Sequence, residues 1–209
     1  DFYISGPGET GLLRLIQRIG GRKLIKSQPC PISIEEFLSS DDPSYPLLTS
    51  RGCPMHCSYC ASRLLYPGFV ERPAEEVICE IRSARRSRRH FVFFDDALLI
   101  NKENRFIPLA RAASQMNLCL HTPNGLHVRE IDAATARALR IAGTRTLRLS
   151  LETTSTDIHA RDSGKADAGT MRRAVDHLLE AGFTPAELET YVLWGLPGQS
   201  IDSVHNTLD

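Results

Sequence analysis

The stretch Thr146-Leu-Arg-Leu-Ser-Leu-Glu152 alternates with a period of two, the side-chain repeat of a β-strand. Leu147, Leu149 and Leu151 fall on one face; Arg148, Ser150 and Glu152 fall on the other. Helical segments flank it. Asp132 caps one that Gly143 ends, and Thr170 caps another that ends at Gly182. Strands alternating with helices assemble into a parallel sheet with right-handed crossovers. Parallel strands covered on both faces are almost wholly apolar, and this one is not. Two further segments break the rule. In Glu187-Leu-Glu-Thr-Tyr-Val-Leu-Trp194, Glu189 and Tyr191 share a face with Leu193, and Cys119 and His121 pair up in the same way in Asn117-Leu-Cys-Leu-His121. A flat two-layer core cannot bury so many polar groups without large desolvation costs. A sheet curled into a partial barrel gives them a wet or ligand-filled lumen. The expected fold class is therefore α/β, a partial parallel (βα) barrel of about five to six strands. An amphipathic sheet with one face in solvent is the alternative, and the βαβ order counts against it.

Upstream, Leu47-Leu48-Thr49 reads as the first strand. Pro73 opens a helix with Val77, Ile78, Ile81 and Ala84 on one face. Phe91–Phe94 is the next strand, followed by a helix over roughly 103–116. Ser200 starts a last helix. The first strand runs into Thr49-Ser-Arg-Gly-Cys-Pro-Met-His-Cys-Ser-Tyr-Cys60, at the carboxyl end where α/β sheets and barrels place their sites. Its thiols, Cys53, Cys57 and Cys60, are spaced C-x-x-x-C-x-x-C. Thiolates hold [4Fe–4S] clusters in sets of four. Three ligands leave one iron open to bind a substrate or cofactor. Zinc on these cysteines with His56 is the alternative. Structural zinc sites usually pair two knuckles, and Cys30, Cys79 and Cys119 stand alone. His56 also adjoins Cys57, which makes joint ligation of one small ion awkward.

The 209 residues suffice for one domain with a real core and part of another. Apolar content of 42% and charged content of 24% are ordinary for a globular protein. Lys and Arg total 25, as do Asp and Glu, so no global field draws in nucleic acid or membrane. No apolar run approaches the ~20 residues that span a bilayer, no secretory signal is evident, and the cysteine pattern suits a reducing cytoplasm. The chain begins with Asp1 and reads as a fragment of a longer protein. Residues 1–45 read as the remnant of a preceding α/β domain plus linker, with a strand at Phe2, a glycine turn, and a helix carrying Leu12, Leu13, Leu15, Ile16 and Ile19. Arg82, Arg85, Arg86, Arg88 and Arg89 read as the solvated last turn of a helix, where cations suit the dipole, or as an RNA-binding patch.

The cysteine loop resembles the signature of radical SAM enzymes, and the resemblance covers residues 46–209 as a C-terminally truncated core. It implies that the open iron is chelated by S-adenosylmethionine, and that Tyr59 packs near its adenine. It places Asp95 or Asp96, after the second strand, on the methionine ammonium, where the family often carries Gly-Gly-Glu; capping of the next helix is the alternative. Ser150 and Glu152 fall where polar groups meet the ribose, and Arg161 or Arg148 where a guanidinium would hold the carboxylate. Tyr191-Val-Leu-Trp-Gly-Leu-Pro-Gly-Gln199 is similar to the family's G-x-I-x-G-x-x-G-E, with Leu193 toward adenine and Gly195 and Gly198 letting backbone approach. Tyr191 and Gln199 depart from that pattern. His121–His127 lies where a substrate would approach, and His127 reads as structural. The front unit is similar to the end of the cobalamin-binding domain that precedes one radical SAM class, which implies cobalamin and methyl transfer in the full-length protein. The resemblance also implies reductive cleavage to a 5′-deoxyadenosyl radical, an electron donor such as flavodoxin or ferredoxin, and a small-molecule substrate of unknown identity. A zinc-stabilised RNA-binding module and a non-catalytic iron–sulfur protein are the competing readings.

Overall fold

The computed structural model describes residues 14, 15, 18, 43–66, 68–155 and 166–209. Of the expected front unit only 14, 15 and 18 are included, and these are helical. The strand at Phe2, most of the linker and Arg161 lie outside the described residues.

In chain order the elements are β1 (Ser44–Leu47), β2 (Ser50–Arg51), α1 (Ser62–Leu65), β3 (Val70–Glu71), α2 (Ala74–Ala84), β4 (His90–Phe93), α3 (Phe106–Ala113), β5 (Cys119–His127), α4 (Ala133–Ile141), β6 (Thr144–Glu152), α5 (Ala168–Glu180), β7 (Leu188–Val192) and α6 (Ile201–Leu208). Five strands form one sheet in the order β1-β4-β5-β6-β7, and every neighbouring pair is parallel. The order follows the chain without reversal. A doubly wound sheet would switch direction; this one is singly wound, as in a barrel.

Packing agrees. One apolar core joins Leu47, Phe91, Phe93, Leu120, Leu147 and Leu149 of the strands to Val77 and Ile81 of α2, Leu109 of α3, Leu139 of α4 and Leu178 of α5. All four crossover helices therefore cover the same face. The opposite face carries the polar residues whose alternation set the expectation. Arg148 stands opposite Glu189 and Ser150 opposite Tyr191. Arg148 Nε donates to Glu189 Oε2 at 2.6 Å, Tyr191 Oη donates to the Pro123 carbonyl at 2.6 Å, and His121 Nδ1 lies 3.0 Å from Thr146 Oγ1. The polar groups of the inner face thus satisfy one another instead of being buried unpaired.

Four local expectations shift. The first strand, expected at Leu47-Leu48-Thr49, runs over Ser44–Leu47. The strand expected to stop at His121 continues to His127 through Pro123-Asn-Gly125, with the pairing register broken between Thr122 and Leu126. Pro123 has no N–H to give a ladder, and the irregularity absorbs it. The helix expected over roughly 103–116 is confined to Phe106–Ala113, because Pro108 is tolerated only in a first turn. Asp167, not Thr170, caps α5; its Oδ1 accepts the Thr170 N–H at 2.6 Å, so the helix starts at Ala168, three positions earlier than a Thr170 cap would allow. Asp132 and Ser200 cap α4 and α6 as expected. No helix among the described residues is long and apolar enough to cross a membrane.

Candidate functional site

The cysteine loop hangs from the carboxyl end of β1 and is closed at its base. β2 pairs antiparallel with β3, so residues 52–69 form a pinched loop. Gly52 has φ +78°, and a Cβ there would lie 2.2 Å from the Gly68 carbonyl oxygen, so the neck admits only glycine. Inside the loop the Cys60 N–H donates to the Cys57 carbonyl at 3.1 Å. The Ser62 N–H donates to Cys60 Sγ at 3.5 Å. Ser62 Oγ donates to Asp96 Oδ2 at 2.6 Å, tying the loop to the end of β4.

Cys53, Cys57 and Cys60 line one cavity of about 150 Å³ together with Met55. Its other wall comes from the carboxyl ends of successive strands: Asp96 after β4, Asn124, Gly125 and His127 on β5, and Ser150 on β6. Gly125 is there for space. A Cβ would lie 2.1 Å from Ser150 Oγ and 3.0 Å from Tyr191 Cδ2.

Of the aspartate pair, Asp96 faces this cavity and Asp95 supports it from behind. The Asp95 side chain is fully buried. It accepts the Thr49 N–H at 3.1 Å, the Thr49 hydroxyl at 2.6 Å and the Ser50 hydroxyl at 2.7 Å. Arg105, 3% exposed, stands 3.8 Å away and also 3.2 Å from Glu71 of β3. Its guanidinium further donates to the Ala97, Leu98 and Ile100 carbonyls. Burial pushes the Arg105 guanidinium down from its ordinary pKa, and Asp95 and Glu71 oppose that. This buried node joins β1, β2, β3 and β4 at the root of the cysteine loop.

The remaining expected residues are placed as follows. Tyr59 is half-buried in the turn between Cys57 and Cys60. Arg148, two residues before Ser150 on the inner face, is engaged by Glu189. Glu152 ends β6 with φ +70°, and its carbonyl accepts the Leu193 N–H at 2.8 Å. Leu193 is half-buried after β7. Gly195 has φ +90°, and its N–H donates to Gln199 Oε1 at 2.8 Å. Gln199 Oε1 also accepts the Leu196 N–H, and its amide donates to the Leu193 carbonyl at 3.0 Å. The cavity thus gathers the three cysteines, Asp96 and Ser150, and leaves out Tyr59 in the cysteine loop, Asp95 behind it, Arg148 in the middle of β6, and Glu152, Leu193 and Gly195 at or beyond the ends of β6 and β7. Gly125 and Met55 were not expected in its wall, and His127, read as structural in a segment where a substrate would approach, lines it with Asn124. The signal was the parity of β5: Cys119, His121, Gly125 and His127 recur every second position, and the two extra residues in the irregular stretch leave that parity intact.

Among the described residues no three His, Cys, Asp or Glu side chains gather closely enough for a single metal ion. A tetrahedral zinc with bonds of about 2.3 Å to sulfur requires that. Three soft thiolate donors on one cavity suit an iron–sulfur cluster with one open position.

A singly wound α/β half-barrel with a three-thiol loop at the carboxyl ends of its strands defines a class of cluster-binding barrel proteins. The chain belongs to the radical SAM superfamily, whose family model matches residues 47–209. It is 26% identical over 176 residues to an uncharacterized methyltransferase of Pyrococcus horikoshii, covering 74% of this chain and 37% of that protein. Among solved structures it resembles the radical S-adenosylmethionine methyltransferase TsrM from Kitasatospora setae, determined with tryptophan substrate and a SAM analogue, at a TM-score of 0.70 and 16% identity over 84% of this chain and 34% of that one. A second TsrM structure, with cobalamin and a [4Fe–4S] cluster, aligns at a TM-score of 0.68 and 17% identity over 78% of this chain and 33% of that one. Coproporphyrinogen III oxidase from Escherichia coli, a radical SAM enzyme, aligns at 0.57 and 16% identity over 99% of this chain and 47% of that one. The chain therefore spans between a third and a half of the length of these proteins.

Proposed function

We propose that this chain is the core of an enzyme that holds a [4Fe–4S] cluster on Cys53, Cys57 and Cys60 and S-adenosylmethionine beside it. When bound, the pair supplies one-electron reductive cleavage of the sulfonium to methionine and a 5′-deoxyadenosyl radical. The observation that carries this reading is the shared cavity: three thiols from one loop face Asp96 and Ser150 from two strand ends. Asp96 accepts one hydrogen bond from Ser62 and keeps lone pairs to receive the ammonium. Asp95 serves that position indirectly by fixing the backbone before it. Ser150 and Glu152 offer oxygens to ribose hydroxyls, Tyr59 and Leu193 flank the adenine, and Arg148 or Arg161 pairs with the carboxylate. The turn clasped by Gln199 holds Gly195 open for close approach.

The methyltransferase relative and the cobalamin-containing TsrM structure support a finer reading. The full-length protein is a cobalamin-dependent methyltransferase acting on a small molecule, residues 1–45 close its cobalamin domain, and it is cytoplasmic and reduced by a flavodoxin or ferredoxin. The test is direct. Reconstituted protein given dithionite and S-adenosylmethionine releases 5′-deoxyadenosine, detected by mass spectrometry. Asp96→Ala retains the cluster and loses most of that product. A cluster-loaded wild-type chain that leaves S-adenosylmethionine intact overturns the proposal.

A further inference from the structure

Five arginines crowd the end of α2, and the structure divides them. Arg88 is buried, with Nη1 donating to Ser87 Oγ at 3.3 Å. Arg89 donates to the Asn117 carbonyl at 3.2 Å. Arg88 is absorbed by the fold, and Arg89 stays exposed with its guanidinium engaged. Arg82, Arg85 and Arg86 are exposed, and no hydrogen bond or ion pair engages their side chains among the described residues. At positions i, i+3 and i+4 they share one side of the helix end. They line a groove of about 540 Å³ whose other wall is Ala112, Gln115 and Met116 at the end of α3. Among the described residues no carboxylate lines it. The nearby acids of α2, Glu76 and Glu80, are taken by Arg72 at 2.7 and 2.6 Å.

Three unpaired guanidiniums around one groove, with an amide donor and an apolar floor, define a receptor for a compact polyanion. The groove volume is that of a small-ligand site. With Arg88 buried and Arg89 bonded to the Asn117 carbonyl outside the groove lining, the groove itself carries three guanidiniums and not the extended basic stripe that tracks a nucleic-acid backbone. The chain's charges also balance at 25 each. Location separates this groove from the cysteine cavity. Arg82–Arg86 precede β4 and Gln115–Met116 precede β5, so the groove sits at the amino ends of two strands whose carboxyl ends face the thiols across the cysteine cavity. A ligand held here does not touch the reacting centre.

We propose that Arg82, Arg85 and Arg86 form a second, remote site that binds a compact polyphosphate such as a triphosphate group. The probe is inorganic tripolyphosphate, which carries no adenine and so does not compete for the S-adenosylmethionine position. Titration calorimetry on the reconstituted full chain is expected to show one site. Replacement by Gln at all three positions weakens binding by about 100-fold, as loss of charge-assisted hydrogen bonds requires. Replacement by Lys at all three keeps the charge, loses the forks, and weakens binding by about 10-fold; it serves also if the Gln variant folds poorly. Release of 5′-deoxyadenosine continues in both variants. Absence of heat at millimolar tripolyphosphate, or equal affinity in wild type and the Gln variant, overturns the proposal. So does a single-stranded RNA that binds more tightly than tripolyphosphate, since that result assigns the arginines to a nucleic-acid backbone.

Discussion

Asp95→Ala is expected to destabilise the protein by about 3–5 kcal/mol, the cost of breaking one side of a buried ion pair. The figure follows from what remains behind. Arg105, 3% exposed, keeps its charge and loses the carboxylate 3.8 Å away. Its carbonyl partners stay, so the charge is not stripped of all hydrogen bonds. The Thr49 N–H and the Thr49 and Ser50 hydroxyls lose their acceptor in a buried place, and each unmet donor costs about 1–3 kcal/mol. These losses overlap, so the total stays near the upper part of the range. Against a typical domain stability of about 5–15 kcal/mol, that is a large fraction. Asp95→Asn keeps an acceptor oxygen and is expected to cost less. Urea unfolding of wild type, Asp95→Ala, Arg105→Ala and the double variant reads both numbers. The double variant should be less destabilised than the sum of the singles by about 1–3 kcal/mol. Asp95→Ala within about 1 kcal/mol of wild type, or additive singles, would refute the buried node.

Gly125→Ala should destabilise by about 1–3 kcal/mol through overpacking, because its Cβ meets Ser150 Oγ at 2.1 Å; adding Ser150→Ala should recover most of the loss in thermal melts. The Asp132 carboxyl should titrate far below the usual range. Burial raises it, but the Lys102 ammonium and the Thr135 N–H outweigh that and bring it from 3.8 to about 2. A depressed folded-state pKa means stability that is present above pH 3.8 and lost as pH falls through about 2. The difference in melting temperature between wild type and Asp132→Asn should therefore shrink across that window, and a constant difference contradicts the assignment.

Much of this was legible because period-two alternation survives folding. Leu147, Leu149 and Leu151 against Arg148 and Ser150 specified both faces of β6, and the helix order specified a parallel sheet. The three cysteines announced their loop because spacing alone fixes which thiols share a neighbourhood. What stayed hidden depended on contacts between distant segments. Two adjacent aspartates look identical in sequence, and only their neighbours separate them. Asp95 meets Thr49 and Arg105, 46 and 10 residues away, while Asp96 meets Ser62 and the cavity. His127 was concealed by Pro123-Asn-Gly125, residues that ordinarily mark a turn and here form an irregular strand. Gln199 looked like a loss relative to the family's glutamate. The structure gives it a task a carboxylate cannot complete, since the amide both accepts two N–H groups and donates to the Leu193 carbonyl. The division of the arginine run depended on which guanidiniums found carbonyl and hydroxyl partners, which no helical spacing reveals.

The central claim is that Cys53, Cys57 and Cys60 hold one cluster with an iron left for S-adenosylmethionine. Electron paramagnetic resonance of the anaerobically reconstituted, dithionite-reduced chain tests it most directly. The expected result is a reduced [4Fe–4S] signal that changes shape when S-adenosylmethionine is added and that is absent in Cys53→Ala. A full cluster signal in Cys53→Ala, or a wild-type signal indifferent to S-adenosylmethionine, would contradict it.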